Sequence, residues 1–225
     1  MRTVICAGLL LGAGVAAWQV TAGANGSTLP ALPSRPGTAE ARAVEAYNRG
    51  ISRRDRGDAL EREAEQKQGA DRDRLKTEAR AEFERALKEF ESAAGLAPDV
   101  FQAYNGMGYA YRKLGQYDQA LAMYDKAIEM APGLYTEAIE YRAEAYLALN
   151  RIEDAKQGYL DLFGSDRKQA ELLLQAMTKW VEARRANPSG VDPAALESFA
   201  RWLAERERIA SVTGSMKTTG RPALW

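Results

Sequence analysis

The 225-residue chain contains no histidine, and its single cysteine is Cys6. Ser-His-Asp catalysis, Cys-His catalysis and the usual zinc sites all need residues that this sequence lacks. It has neither a GxxxxGK[ST] phosphate loop nor a GxGxxG turn after a strand. Lys plus Arg and Asp plus Glu each number 31, so no net field favours nucleic acid or a membrane surface. We therefore expect a non-enzymatic protein with no cofactor and no metal.

The first residues form an apolar stretch that is typical of an export signal. No charge occurs between Arg2 and Arg35, and Ala22-Gly23-Ala24 fits the A-x-A pattern of signal peptidase sites. We expect cleavage after Ala24, which makes residues 1–24 a signal peptide, removes Cys6 and places the protein in the periplasm. The alternative is an uncleaved, inner-membrane anchored segment, although its glycines make it marginal as a spanning helix. Residues 25–38, rich in Pro, Gly and Ser, are predicted to form a flexible linker.

Residues 101–134 have the spacing of two short helices that pack together. Small and aromatic residues recur at helical intervals on either side of Gly115, and a proline closes the segment: Tyr104, Met107, Gly108, Tyr111, Ala120, Tyr124 and Pro132. This order resembles the tetratricopeptide repeat, W-x2-L-G-x2-Y, then A-x3-F, then P, over about 34 residues. The resemblance implies a hairpin in which small residues let the two helices approach closely.

A single repeat cannot bury its own faces, so neighbouring copies are expected. The next copy covers residues 136–165, where Tyr146 and Ala155 follow Tyr111 and Ala120 by 35 residues each. Ala143 takes the place of the small Gly108. Without a proline, this copy ends at "FGSD", Phe163 to Asp166, with a glycine and a capping Ser or Asp.

The preceding copy, residues 39–98, is split by an insertion. Gly50 and Ala86 occupy the positions of Gly108 and Ala120, but Phe83 follows Gly57 by 26 residues, where Tyr117 follows Gly115 by two. The 24 extra residues lie at the turn. We expect them to lengthen each helix by about 12 residues, or roughly 18 Å.

This insertion predicts an extended hairpin, residues 58–82, which we call the arm. Gly69 would make its turn and Asp71 would cap its second helix. A thin antiparallel coiled-coil seam would pair Leu60 with Ala79 and Ala64 with Leu75. The remaining residues are almost all charged, which is typical of a solvated face. A partner-gripping projection and a disordered loop remain as alternatives.

Residues 166–211 are predicted to form a pair of capping helices with one apolar face and one polar face. The apolar positions are Leu172, Leu173, Ala176, Met177, Trp180, Leu196, Phe199, Trp202, Leu203 and Ile209. Trp180 and Trp202 fit core packing better than a role as ligand anchors, because both lie on apolar stripes. Residues 212–225 are predicted to be a disordered tail. The predicted fold is thus all-α: a short solenoid of about three hairpins plus a capping pair.

The resemblance implies that a partner lies in a concave groove lined by the first helix of each repeat. Outward-facing groove positions would be Tyr47, Ile51, Arg54, Asn105, Tyr109, Arg112, Glu137, Glu140 and Glu144. Some family members clamp a C-terminal carboxylate with Lys and Asn side chains. Here Tyr109 and Glu144 stand where Asn is expected, so we predict instead a peptide with a basic portion near Glu140 and Glu144.

The sequence therefore predicts an envelope-located adaptor that binds a protein or peptide and no nucleic acid. It would contact a membrane only if the N-terminal segment is uncleaved. One alternative is a membrane-tethered assembly factor for an envelope or secretion complex. Another is a carbohydrate- or lipid-binding protein that uses Tyr47, Tyr104 and Tyr109. The oligomeric state, partner and pathway are left open, since a repeat fold fixes no process.

Overall fold

The computed structural model describes residues 37–218, and of residues 213–218 only the backbone. This part of the chain forms eight α-helices and no strand: α1 (Ala39–Glu65), α2 (Gly69–Leu96), α3 (Phe101–Lys113), α4 (Tyr117–Met130), α5 (Thr136–Ala148), α6 (Ile152–Ser165), α7 (Arg167–Ala186) and α8 (Pro193–Thr218). The prediction of an all-α solenoid of helical hairpins is confirmed. The predicted signal peptide and most of the predicted linker lie outside the described residues.

The helices are arranged in two layers. Each helix packs on its neighbours in sequence, and α3 additionally contacts both α1 and α5. No comparable contact joins α2 to α4 or α4 to α6. The odd-numbered helices therefore lie closer together than the even-numbered ones, so the stack curves towards an inner layer made of α1, α3 and α5.

One aromatic ring from each outer helix holds the layers together. Phe90, Tyr124 and Tyr159, from α2, α4 and α6, are each at most 1% exposed. A Cβ atom added at Gly108 would lie 2.6 Å from the ring of Tyr124, and one added at Gly50 would lie 2.6 Å from that of Phe90. These glycines are needed because their helices leave no room for a side chain beside the ring.

The turns of the second and third hairpins have the same backbone conformation. Gly115 has φ +78°, and Asn150, 35 residues later, has φ +59°. Both lie in the left-handed region, which glycine enters freely and asparagine enters more readily than most residues. The equivalence of the two repeats thus extends to their turns.

The arm is a helical hairpin. α1 and α2 have 27 and 28 residues, 14 more than α3 and α4 respectively, which corresponds to roughly 21 Å of extra helix. Ala64, Leu75 and Ala79 are buried in its seam, and Leu60 is half-buried. The predicted cap at Asp71 is wrong, because α2 begins at Gly69 and Asp71 lies within its first turn.

Three further expectations are corrected outside the arm. Pro132 is exposed beyond the end of α4, so it is not a buried packing residue. Leu172 is 39% exposed, so Leu173 and Leu174 supply the buried face of α7 instead. The predicted tail begins too early, because α8 continues to Thr218; the rest of the tail lies outside the described residues.

The capping helices begin and pack as their sequence suggests. Asp166 accepts hydrogen bonds from the backbone N–H groups of Lys168 and Gln169, and Asp192 accepts one from Ala195. Phe199 stacks on Trp202, with ring centroids 5.9 Å apart. Trp180 and Trp202 both pack against the core formed by α5 to α8. No helix in residues 37–218 has the length and apolarity needed to cross a bilayer.

Candidate functional site

The nine predicted groove residues all lie on the inner layer, three from each helix. α1 supplies Tyr47, Ile51 and Arg54; α3 supplies Asn105, Tyr109 and Arg112; and α5 supplies Glu137, Glu140 and Glu144. We call the surface that they form the inner face. None of the nine is fully exposed, so most of this face is already engaged in contacts within the protein.

Five of these residues are buried, which corrects the expectation that they face outward. Tyr47 and Asn105 are 0% exposed, Arg54 is 1% exposed, and Tyr109 and Glu140 are 7% exposed. The other four, Ile51, Arg112, Glu137 and Glu144, are half-buried. The family pattern identifies the helix face but not the depth of each side chain, which depends on the neighbouring helices.

Arginines and tyrosines alternate across the middle of the inner face. The Cζ atom of Arg54 lies 5.5 Å from the centre of the Tyr109 ring, and that of Arg112 lies 5.0 Å from the same ring. Arg112 also lies 5.4 Å from the ring of Tyr141 and pairs with Glu144 at 2.6 Å. Cation–π contacts of this kind stabilise the stack when they are shielded from water. They fix α1, α3 and α5 relative to one another.

The base of the arm is attached to this stack by charged groups. The hydroxyl of Tyr109 donates a hydrogen bond to the carboxylate of Asp58, with both oxygens 2.8 Å away. Lys113 pairs with Asp58 at 3.2 Å and also with Glu61. These contacts join the first residues of the arm to α3. Sequence reasoning missed Asp58, because nothing in the sequence alone indicates that the insertion returns to the second repeat.

Tyr135 is a second residue of this face that the sequence analysis missed. It precedes α5, and its hydroxyl accepts a hydrogen bond from the amide of Asn105 at 3.0 Å. Its ring packs edge-on against Phe101, with centroids 5.1 Å apart. Burial raises the pKa of the Tyr135 hydroxyl well above its usual value, so this group stays neutral. Asn105 is therefore held by a neighbouring repeat.

The α5 end of the inner face is acidic. Glu137, Glu140 and Glu144 follow one another by one helical turn, and Asp166 lies close enough to act on Glu137 and Glu140 electrostatically. Burial, and next the charge of Glu144, raise the pKa of Glu140 to about 8, with Arg112 partly opposing them. Among the described residues, no hydrogen bond or ion pair reaches the Glu140 carboxylate.

The prediction against a carboxylate clamp stays a prediction, and the contacts around those positions favour it. Asn105 is bound to Tyr135, Tyr109 to Asp58, and Glu144 to Arg112. A clamp needs free amides and a free cation to bind a carboxylate. Here those positions are occupied by contacts within the chain.

Two open surface clefts lie away from the inner face. One, of about 600 Å³, lies between the arm and α3 and is lined by Glu61, Lys76, Arg80, Phe83 and Lys113, among others. The other, of about 500 Å³, lies between the start of α6 and the start of α8. Both are mostly lined by charged and polar surface residues. Residues 37–218 contain no cluster of three or more side chains suited to a metal ion.

The comparison with known protein families agrees with this geometry. The model of the tetratricopeptide repeat matches residues 101–134, which are α3, α4 and the segment that follows them. No curated protein matches the chain. Tetratricopeptide repeats generally mediate protein–protein interaction and are typically non-catalytic. The inner face is therefore the first surface to consider for binding a protein.

Proposed function

We propose that this protein is a non-enzymatic adaptor of the bacterial cell envelope that binds a segment of a partner protein on its inner face. The observation that carries this proposal is the position of ionisable side chains on the inner layer of a repeat solenoid. Arg112, Glu137 and Glu144 remain partly accessible there, whereas the opposite sides of these helices pack against the outer layer. Such a surface offers charge complementarity to an extended or helical segment.

The proposed location is the periplasm, reached through a cleaved signal peptide. Its support is the sequence pattern at Ala22-Gly23-Ala24 alone. A tethered assembly factor would follow if residues 1–24 stay attached to the chain. The mass of the intact protein purified from its native envelope separates the two, because cleavage after Ala24 removes the first 24 residues.

The tyrosines that a carbohydrate- or lipid-binding protein would use are not accessible here. Tyr47 is 0% exposed, and Tyr104 and Tyr109 are each 7% exposed. The ring faces of Tyr104 and Tyr109 are also covered by Lys126 at 4.0 Å and Arg112 at 5.0 Å. A sugar or acyl chain needs an accessible ring face to stack on, so these tyrosines are packing residues.

Position-specific photocrosslinking tests the proposed binding surface. A benzophenone side chain would replace Ile51 or Glu137 on the inner face, Glu129 or Glu153 on the outer helices, or Glu78 on the arm. Each variant would be irradiated in native envelope extract after circular dichroism has shown that it is folded. We expect one defined adduct from the inner-face positions and none from the outer ones.

The crosslinked protein would then be purified and titrated against the unlabelled chain. Direct binding, with crosslinks only from the inner face, supports the proposal. A defined adduct from Glu129, Glu153 or Glu78 without one from Ile51 or Glu137 overturns it. In the last of these cases the arm would be the binding surface.

A further inference from the structure

Two carboxylates of the acidic end, Glu137 and Glu140, have no direct partner in the described part of the chain, and Glu140 is the more deeply buried of the two. It is 7% exposed, yet no hydrogen bond or ion pair reaches it from residues 37–218. A largely buried carboxylate without a partner is unfavourable, because it has lost much of its hydration and gained no ion pair in return. A carboxylate at such a position either has a structural partner within the protein or binds a ligand.

The groups around Glu140 do not neutralise it. Glu137 and Glu144 lie on α5 one turn to either side, and Asp166 lies between α6 and α7. The charge of Arg112 on α3 acts on Glu140, but Arg112 pairs directly with Glu144 at 2.6 Å. Arg54 on α1 and Lys168 on α7 act on Glu137 instead. The local field at Glu140 is therefore negative, and a cation from outside the chain would relieve it.

We infer that this acidic end is a recognition pocket for one lysine or arginine side chain of the bound segment, and that Glu140 is its direct partner. This inference rests on the proposed function and names the chemistry of the partner. A metal ion fits less well, because the described residues present no cluster of three metal-ligating groups. A partner segment that is acidic at this point would meet like charges, which weaken binding at an interface.

The pocket also fixes the register of the bound segment. Elsewhere on the inner face, Arg54 and Arg112 lie over aromatic rings and are each paired with a carboxylate, whereas Glu137 and Glu140, which have no direct partner in residues 37–218, lie at the α5 end. A segment with one basic residue therefore has a single favourable position along the groove. Charge arrangements of this kind contribute more to specificity and register than to total affinity.

A selection from a display library of random twelve-residue peptides tests the inference. The mature chain, residues 25–225, would be the target, in parallel with Glu140→Gln and with Glu153→Gln. Glu153 is a matched control because its side chain is 83% exposed on α6 and far from the inner face. Glutamine has nearly the shape of a protonated glutamate, so Glu140→Gln is expected to fold; circular dichroism and thermal unfolding check this.

We expect peptides selected by the wild type and by Glu153→Gln to share a lysine or arginine at one position, and those selected by Glu140→Gln to lack that preference. A double-mutant cycle then measures the pair directly. Replacing the shared basic residue by norleucine or citrulline should weaken binding about tenfold or more for the wild type and about twofold or less for Glu140→Gln.

Each other outcome has a distinct meaning. If the peptides bind the inner face, as shown by crosslinks from Ile51 or Glu137, but share no basic residue, the inference is overturned and the proposed function stands. Equal losses for wild type and Glu140→Gln also overturn it. If no peptide binds the inner face and no partner crosslinks there, both the inference and the proposed function fail. Carbon-13 NMR of the Glu140 carboxyl gives an independent reading, since the peptide should shift that resonance.

Discussion

Glu82 at the base of the arm and Glu140 on the inner face are buried to nearly the same extent, at 5% and 7% exposure. Their surroundings are opposite. Glu82 pairs with Arg85 at 2.6 Å, Arg53 at 3.1 Å and Arg56 at 3.8 Å. Glu140 has acidic neighbours and no direct partner in the described residues. The same residue type at the same depth is thus satisfied in one region and left unsatisfied in the other.

The difference separates a structural carboxylate from a candidate binding group. Glu82 connects Arg53 and Arg56 on α1 to α2 where the seam of the arm begins, so its burial is balanced by ion pairs within the hairpin. Glu140 contributes nothing comparable to the fold. Its unfavourable position is explained if its partner belongs to another molecule.

Reversing the charge of Glu82 should have the largest effect. Glu82→Lys places a buried cation among three arginines, and we expect it to lower the free energy of unfolding by about 3 to 5 kcal/mol. Urea unfolding followed by circular dichroism measures this. Glu84→Lys is the control, because residue 84 is exposed on the same helix and should change stability by under about 1 kcal/mol. Equal losses for the two variants would contradict the structural role of Glu82.

Removing the charge of Glu140 should instead raise the free energy of unfolding. The pKa of Glu140 is raised from 4.5 to about 8, so the folded state binds more protons than the unfolded state between these values and loses stability as pH rises through them. Glu140→Gln abolishes this loss. We expect a gain of about 2 to 4 kcal/mol at pH 9 and almost none at pH 4, from urea unfolding at both pH values. If Glu140→Gln is less stable than wild type at pH 9, the ionised Glu140 carboxylate must have a stabilising partner in the folded protein, which would contradict this interpretation.

Peptide affinity should depend on pH through the same group. A cation binds the ionised carboxylate, so below pH 8 binding must first release a proton from Glu140. We expect a basic peptide selected by the wild type to bind about tenfold more weakly at pH 6 than at pH 7, as measured by calorimetry. Glu140→Gln should bind the peptide weakly at both pH values. An affinity that rises on acidification would show that another group controls binding.

Shortening a side chain in the seam of the arm should have the smallest effect on global stability. Leu75 is 3% exposed, but the arm is only two helices thick, so the site can relax when the side chain is shortened. Leu75→Ala should cost about 1 kcal/mol or less in global unfolding and should speed hydrogen exchange in residues 58–82 alone. Tyr124 and its neighbours should keep their protection. Loss of protection there would mean that the arm and the repeats unfold as one unit.

Much of the fold could be predicted, because the spacing of residues within each repeat indicates how its helices pack. The spacing of Gly108, Ala120 and Tyr124 predicts the intact hairpin, and a 35-residue shift predicts the next one. The length of the insertion indicates an arm, since residues added at a turn extend both helices together. The sequence could not place the helix starts as well: α2 begins at Gly69 because the connection is only three residues long.

The sequence predicted which helix faces form the site, but it did not predict how deeply the side chains are buried. Tyr47 and Asn105 lie on the predicted inner layer but are fully buried. Their depth depends on how closely α1, α3 and α5 approach one another, and periodicity within one helix carries no information about that distance. Tyr135 and Asp58 were missed for the same reason, since each meets its partner from 30 to 51 residues away.

The residue types and their spacing were enough to specify the helices, their pairing into hairpins and the lack of histidine. These follow from the residue types and from a period of 3.6 residues, which are local properties. Which charges have partners depends on the packing of the helices against one another. Glu82 and Glu140 look alike in the sequence, and they differ because three arginines are brought to one of them while three carboxylates surround the other.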